Sequence, residues 1–200
     1  MAWGVSLTAV DLPPVAEGAA YFAEEVARQM GPGEPPVVVA HSVAGLILPL
    51  VPQFMEVTRL VYLAAVVPEP RSSLLSRAKA SPEMFQPDWR GKDPTGDHAL
   101  ARHFLFHDCE PRVQEWALTT LRLWSSPRLM TEECPLDKLP PAIYVSATLD
   151  RTINPGWWER EVADLEMIRI ETGHSPHVSR PRELVRKLGA AMGLPVSEIR

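Results

Sequence analysis

The stretch that decides the fold is VVVAHSVAGLILPL, residues 37–50. The continuous apolar run at 37–40 is typical of a parallel strand buried on both faces. Residues 43–54 are predicted to continue as a helix, despite Pro49. Ser42 therefore lies at a sharp turn between strand and helix. Such a turn raises a hydroxyl above the sheet, and the helix N-terminus behind it supplies backbone N–H groups.

Small residues are needed around such a serine because the turn brings the strand and helix backbones close together. The usual pattern is G-x-S-x-G, and the sequence here is Ala40-His41-Ser42-Val43-Ala44, followed by Gly45. Alanine replaces both glycines of the pattern. Taken alone, the motif is therefore equally consistent with a nucleophile and with a serine that caps the next helix.

The rest of the chain alternates between strand and helix patterns. β-Branched and apolar runs predict strands at 4–10, 59–68, 142–147 and 166–171. Apolar residues at helical spacing predict helices at 15–30 and 180–192. This alternation predicts an α/β fold with a mostly parallel sheet and helices on both faces, in a single domain over 1–200.

The region 69–139 breaks this alternation. It is rich in tryptophan, proline and aspartate turns, and it contains one good helical pattern, PRVQEWALTTLRLW, at 111–124. We predict that it forms a helical lid inserted between two core strands.

Composition narrows the functional classes. The net charge of -5 argues against nucleic acid and against an anionic membrane surface as partners. No apolar run is long enough to cross a bilayer, and the N-terminus lacks a signal-peptide pattern, so we expect a cytoplasmic protein. Cys109 and Cys134 fit free thiols better than a disulfide.

Two further residues change the interpretation of Ser42. A serine hydroxyl becomes a good nucleophile only when a base takes its proton and a carboxylate orients that base. Asp150 follows the predicted strand at 142–147, and His174 follows the one at 166–171. Ser, Asp and His then occur in the order typical of this architecture, each just beyond the carboxyl end of a strand, where open α/β sheets bind ligands.

Alternatives exist for each member of this set. His177 could replace His174 as the base, and Glu69 could replace Asp150 as the acid. In the segment HFLFHDC, residues 103–109, His103 and His107 would share one helix face and could form a metal site. That segment lacks the glutamate of H-E-x-x-H and a distant third ligand, so a lid helix facing the pocket is the preferred interpretation.

The chain resembles the α/β-hydrolase superfamily, and most closely the small carboxylesterase-like branch that includes plant methylesterases and hydroxynitrile lyases. The resemblance covers nearly the whole chain. It depends on SLTAVDLPP, AHSVAGLILPLV, RLVYLAAVVPEP, YVSATLDRTINPGWW and TGHSPHVSRPRELV.

The resemblance implies roles for individual residues. Ser42 would be the nucleophile, His174 the base and Asp150 the residue that orients it. The backbone N–H of Val43 would bind the oxyanion. We group His41 with Val43 at the oxyanion and substrate site, although a side chain just before the nucleophile usually packs beside the sheet, which favours a structural role.

Two departures from the family pattern refine these expectations. Members normally carry an earlier strand and a His-Gly loop that supplies a second oxyanion N–H, and no counterpart is found here. We therefore expect an N-terminally shortened fold, weak activity and a tendency to form homodimers through an exposed sheet edge. Hydroxynitrile lyases place lysine after the histidine, where this chain has Ser175.

The sequence thus predicts a serine hydrolase that cleaves a small carboxylic ester or thioester through an acyl-enzyme, without metal or organic cofactor. The alternative is a weakly active or inactive homologue that binds a small apolar ligand or a protein partner.

Overall fold

Four parallel strands form the sheet of this protein, and they are arranged side by side in the order in which they occur along the chain. The structure is a computed structural model that describes residues 7–94, 96–121 and 126–194. The strands are β1 (Val37–His41), β2 (Arg59–Leu63), β3 (Ala142–Ala147) and β4 (Glu166–Ile170). β1, β2 and β3 are mostly apolar, as strands of a parallel sheet covered by helices usually are, whereas β4 also contains Glu166 and Arg169.

Helices connect and cover the strands. Before and between the first strands lie α1 (Ala19–Met30) and two 3₁₀ helices (Ser42–Leu46 and Leu48–Gln53). Between β2 and β3 lie α2 (Leu74–Ala80), a 3₁₀ turn (Pro82–Met84), α3 (His98–Phe104), α4 (Pro111–Thr120) and α5 (Pro127–Thr131). The remaining helices are α6 (Pro155–Glu161), α7 (Pro176–Ser179) and α8 (Pro181–Ala191).

The two faces of the sheet differ in how they are covered. The larger cluster packs α1, the residues after β1 and α6 against one face, with Phe22, Leu48 and Trp158 almost completely buried. On the other face, Leu184 and Leu188 of α8 pack over the central strands. The predicted α/β class, with a parallel sheet between helices, is confirmed.

The predicted helix at 43–54 takes a tighter form than expected. It consists of two consecutive 3₁₀ helices, and the second contains Pro49 and Pro52. Proline has no N–H to donate and obstructs the preceding turn, so a regular α-helix is unfavourable here. Similarly, the strand predicted at 59–68 ends at Leu63, and Ala64 follows with a φ of 43°.

The strand predicted at 4–10 is wrong for the residues that can be compared. Residues 7–10 form no strand, and 4–6 lie outside the described residues. Val10 packs against the main core without pairing, whereas Leu7 is 93% exposed. High β propensity is not sufficient by itself, because strand formation depends on the packing around the segment. Within the described chain, β1 therefore pairs with β2 alone.

The segment between β2 and β3 is helical and has a small apolar cluster of its own, and its role as a lid stays a prediction. Ala101 of α3, Ala117 and Leu118 of α4, Phe106 and Cys109 are buried together. The helix predicted at 111–124 ends at Thr120, and residues 122–125 lie outside the described residues. The domain boundaries at 69 and 139 stay a prediction.

Candidate active site

Ser42 lies directly after β1, at the start of the 3₁₀ helix Ser42–Leu46. Its φ of 56° falls in the left-handed region, which is unfavourable for a residue with a side chain. A hydrogen bond stabilises this turn, because the N–H of Val66 donates to the carbonyl oxygen of Ser42 at 3.1 Å. The backbone conformation expected of a sharp strand-to-helix turn is thus present at this serine.

Gly45 explains why the turn needs small residues. A Cβ added at Gly45 would lie 2.1 Å from the carbonyl oxygen of Val66 and 3.1 Å from the Cβ of Ala65. The backbone of the helix after Ser42 is therefore in direct contact with the backbone of the segment that follows β2. Alanine is accommodated at 40 and 44, so the closest approach falls one residue beyond the second small position of the motif.

The three residues predicted from the sequence meet above the carboxyl ends of β1, β3 and β4. Nε2 of His174 lies 2.9 Å from Oγ of Ser42, and Nδ1 of His174 lies 2.7 Å from Oδ2 of Asp150. His174 and Asp150 are each only 3% exposed. With the proton on Nδ1, Nε2 is free to accept a proton from the hydroxyl.

Thr152 forms hydrogen bonds with Asp150, and the sequence analysis did not identify it as part of the site. Its hydroxyl donates to Oδ1 of Asp150 at 2.9 Å and lies 2.8 Å from Nδ1 of His174. The backbone N–H of Thr152 also donates to Oδ1, at 2.7 Å. Oδ1 of Asp150 thus accepts hydrogen bonds from Thr152, and Oδ2 accepts one from the imidazole of His174. A D-x-T sequence just beyond a strand is the only signal of this arrangement, and it is common in ordinary turns.

His41 and His177 surround the base from the other side. The ring of His41 lies 4.7 Å from that of His174 and 4.6 Å from that of His177, between centroids. Nε2 of His41 is 2.8 Å from the carbonyl oxygen of His174. Burial lowers the pKa of His41 well below its ordinary value, and the two neighbouring histidines add to this effect. A neutral His41 therefore donates to the backbone of the base, and its grouping with the substrate stays a prediction.

Val43 is the first residue after the serine in the 3₁₀ helix. Backbone N–H groups in the first turn of a helix have no acceptor within that helix. The predicted use of this N–H for an oxyanion is compatible with that position and stays a prediction.

The alternative residues have other neighbours. Glu69 lies 3.9 Å from the guanidinium of Arg77, and His177 packs on His41. His107 lies 3.1 Å from the carbonyl oxygen of Leu149. Among the described residues, no group of three or more His, Cys, Asp or Glu side chains is arranged to hold a metal ion. In the same ranges, every helix is too short or too polar to cross a bilayer.

A parallel α/β sheet with a buried His–Asp pair at its carboxyl edge defines a hydrolase of the α/β class. The chain belongs to the alpha/beta hydrolase family, whose model matches residues 4–187. No curated protein matches the sequence.

Solved structures with the same fold include proteins named as an esterase and as hydrolases. A polyneuridine aldehyde esterase is 18% identical with a TM-score of 0.69, and the match covers 88% of this chain and 80% of that one. A pyrethroid hydrolase from Sphingobium faniae JZ-2 is 14% identical with a TM-score of 0.66, covering 90% and 80%. An extracellular alpha/beta-hydrolase from a Paenibacillus species is 14% identical with a TM-score of 0.64, covering 88% and 80%.

Proposed function

We propose that this protein is a serine hydrolase that cleaves a small carboxylic ester or thioester through Ser42, His174 and Asp150. The observation that carries the proposal is the continuous chain of contacts from the Ser42 hydroxyl through the buried imidazole to the carboxylate, at 2.9 Å and 2.7 Å. The structural similarity to a protein named as an esterase, the polyneuridine aldehyde esterase, supports the ester class.

The reaction follows from these positions. Oγ of Ser42 attacks the carbonyl carbon while its proton passes to Nε2 of His174, and Asp150 stabilises the resulting imidazolium. The backbone N–H of Val43 is suited to stabilise the oxyanion. Collapse of the intermediate breaks the bond to the leaving alcohol or thiol, which takes the proton from Nε2. Water then attacks the acyl carbon while its proton passes to Nε2 of His174. The bond to Oγ of Ser42 breaks, Oγ takes the proton back, and the acid is released.

The test combines covalent labelling with turnover. A fluorophosphonate probe and short-chain nitrophenyl esters are applied to the wild type, to Ser42→Ala and to Ser76→Ala, which removes an exposed serine in α2. We expect labelling and turnover in the wild type and in Ser76→Ala. Ser42→Ala should lose labelling, and its turnover should fall by about a thousandfold or more.

Two results would contradict the proposal. Equal turnover by wild type and Ser42→Ala would remove the serine from the mechanism. A wild type that is neither labelled nor active would favour the alternative, a homologue that binds a small ligand or a protein without catalysis.

A further inference from the structure

The turn after α3 contacts both loops that carry the base and the acid. Nε2 of His107 lies 3.1 Å from the carbonyl oxygen of Leu149, the residue before Asp150. Oδ2 of Asp108 accepts from the N–H of Gly173, the residue before His174, at 2.8 Å. Two adjacent side chains of the lid region therefore each hold the backbone one residue away from a member of the proposed relay.

The two loops are also joined to each other. The N–H of Leu149 donates to the carbonyl of Thr172 at 2.9 Å. Leu149 thus uses its N–H toward the base loop and its carbonyl toward His107. The three segments form one hydrogen-bonded unit, so a displacement of the lid turn would be transmitted to both loops.

Gly173 is the point of closest approach. A Cβ at this position would lie 2.6 Å from Oδ1 of Asp108 and 2.7 Å from Nε2 of His107. Since those atoms belong to the two side chains that make the contacts, only glycine allows the lid turn to approach the base loop at this distance.

Hydrogen bonding and protonation of Asp108 and His107 also bear on the role of these two side chains. Oδ1 of Asp108 is buried and has no hydrogen-bond partner among the described residues, which is costly for a carboxylate. Such a group calls for an explanation beyond packing. Burial, followed by the charge of Arg151, lowers the pKa of His107, which favours the neutral ring. A neutral His107 with its proton on Nε2 donates to Leu149.

We propose that His107 and Asp108 are positioning residues, which act through Leu149 and Gly173 to hold the acid and the base in line with Ser42. This inference rests on the proposed function for its effect on turnover. Its structural part, the fixing of the base loop by the lid turn, can be measured without turnover.

The main comparison is Asp108→Ala against Asp108→Asn. Asparagine can still accept from the Gly173 N–H, whereas alanine cannot. We expect Asp108→Ala to lower kcat about tenfold or more with KM within about twofold, because small misplacements of reacting groups have large effects on rate. Asp108→Asn should restore most of this loss. Amide hydrogen exchange at Gly173 should be faster in Asp108→Ala and close to wild type in Asp108→Asn.

Two further variants complete the design. His107→Ala removes the contact with Leu149 at a partly exposed position, so it remains informative if Asp108→Ala does not fold; we expect a lower kcat at unchanged KM. Glu115→Gln breaks the exposed lid ion pair with Arg102, 2.7 Å in length, and serves as the control. It should leave kcat and the exchange of Gly173 unchanged.

The outcomes separate the two proposals. Asp108→Ala with wild-type kcat and wild-type exchange at Gly173 would overturn the positioning role. Equal losses in Asp108→Ala and Asp108→Asn, in parallel with a lower Tm, would also overturn it, since they indicate general destabilisation. An inactive wild type would contradict the proposed function, and the exchange at Gly173 would still decide whether the lid turn fixes the base loop.

Discussion

Thr152 shows how a single hydroxyl organises the acid and the base together. It donates to one oxygen of Asp150 and lies within hydrogen-bond distance of Nδ1 of His174. The hydroxyl therefore fixes the rotation of the carboxylate and limits the movement of the imidazole. The hydroxyl thus orients the acid and the base, and it does not itself accept the proton from Ser42.

We predict that Thr152→Val lowers kcat about tenfold, because hydrogen bonds to charged groups are worth about 1.5–3 kcal/mol. Valine has nearly the same shape as threonine but cannot donate to Asp150. Thr152→Ser keeps the hydroxyl and is expected to stay within about threefold of wild type. Steady-state turnover of a short-chain ester by the three proteins checks the prediction, and equal rates for Val and Ser would contradict it.

His41 makes stability depend on pH. Its pKa is lowered in the folded protein by burial, and the rings of His174, in the loop after β4, and of His177, in α7, lie next to it. Below pH 6.5, the ordinary value, the unfolded chain binds a proton at His41 that the folded chain does not. The unfolded state then holds more protons, so the free energy of unfolding falls as the pH decreases.

The corresponding prediction compares urea unfolding at pH 7.5 and pH 5.5. His41→Gln should lose less stability between these values than the wild type, because the buried titrating ring is gone. His98→Gln, which removes an exposed histidine at the start of α3, should behave like wild type. If the free energy of unfolding changed equally with pH in all three proteins, His41 would be excluded as a source of that dependence.

At this scale, part of the site could be predicted because parallel strands end at one edge of a sheet. Ser42, Asp150 and His174 each follow a strand, so the pattern alone was enough to group them. Thr152, His107 and Asp108 could not be grouped in this way. The partners of His107 and Asp108 are backbone atoms of loops distant in sequence, which no periodicity encodes. The hydroxyl of Thr152 contacts Asp150 and His174, but the D-x-T sequence that precedes this contact is common in ordinary turns.

Among the elements, the junction of β1 with the following 3₁₀ helix is the most constrained. Gly45 lies against the carbonyl of Val66, and the N–H of Val66 holds the carbonyl of Ser42. Any side chain at 45 must push the helix away from β2 and thereby alter the turn that presents the serine.

We predict that Gly45→Ala reduces the free energy of unfolding by about 1–3 kcal/mol, the usual range for overpacking. It should also reduce labelling of Ser42 by a fluorophosphonate. Gly33→Ala is the control, because a Cβ there meets nothing within 4 Å. Chemical denaturation of both variants gives the comparison, and an unchanged stability of Gly45→Ala would show that the helix can shift freely.

Strands and long amphipathic helices were the elements that the sequence encoded best. β3 agrees with the predicted 142–147, and α8 lies within the predicted 180–192. There are two exceptions: prolines impose 3₁₀ geometry on 48–53, and residues 7–10 form no strand despite their β propensity. The helices between β2 and β3 are short and depend on mutual contacts, so sequence periodicity could not delimit them.

For the molecule as a whole, the side of β1 that no described strand pairs with is the most consequential surface. Val37 and Val39 are 36% and 45% exposed, although they belong to a strand of the sheet. An edge strand without charged residues is a template for pairing with another chain. A second copy presents the same edge, and antiparallel pairing of two β1 strands would satisfy both edges at once.

We therefore expect the protein to self-associate through β1, and Val39→Lys to shift it toward monomer, since an edge lysine opposes pairing. Val185→Lys is the matched control, because Val185 is also exposed, at 42%, but lies on α8. Light scattering coupled to size exclusion over a range of concentrations measures the change. A wild type that stays monomeric throughout, or a dimer that Val39→Lys leaves intact, would contradict this expectation.

The unequal covering of the two faces also has a consequence for biosynthesis. Ribosomes release a chain from its N-terminal end, so α8 is the last described element to emerge. Until Leu184 and Leu188 arrive, the apolar side chains of Val61 and Val145 have no cover on that face. A nascent or prematurely terminated chain that stops before α8 would already contain every residue of the proposed relay, yet it would present a bare apolar surface to chaperones and proteases.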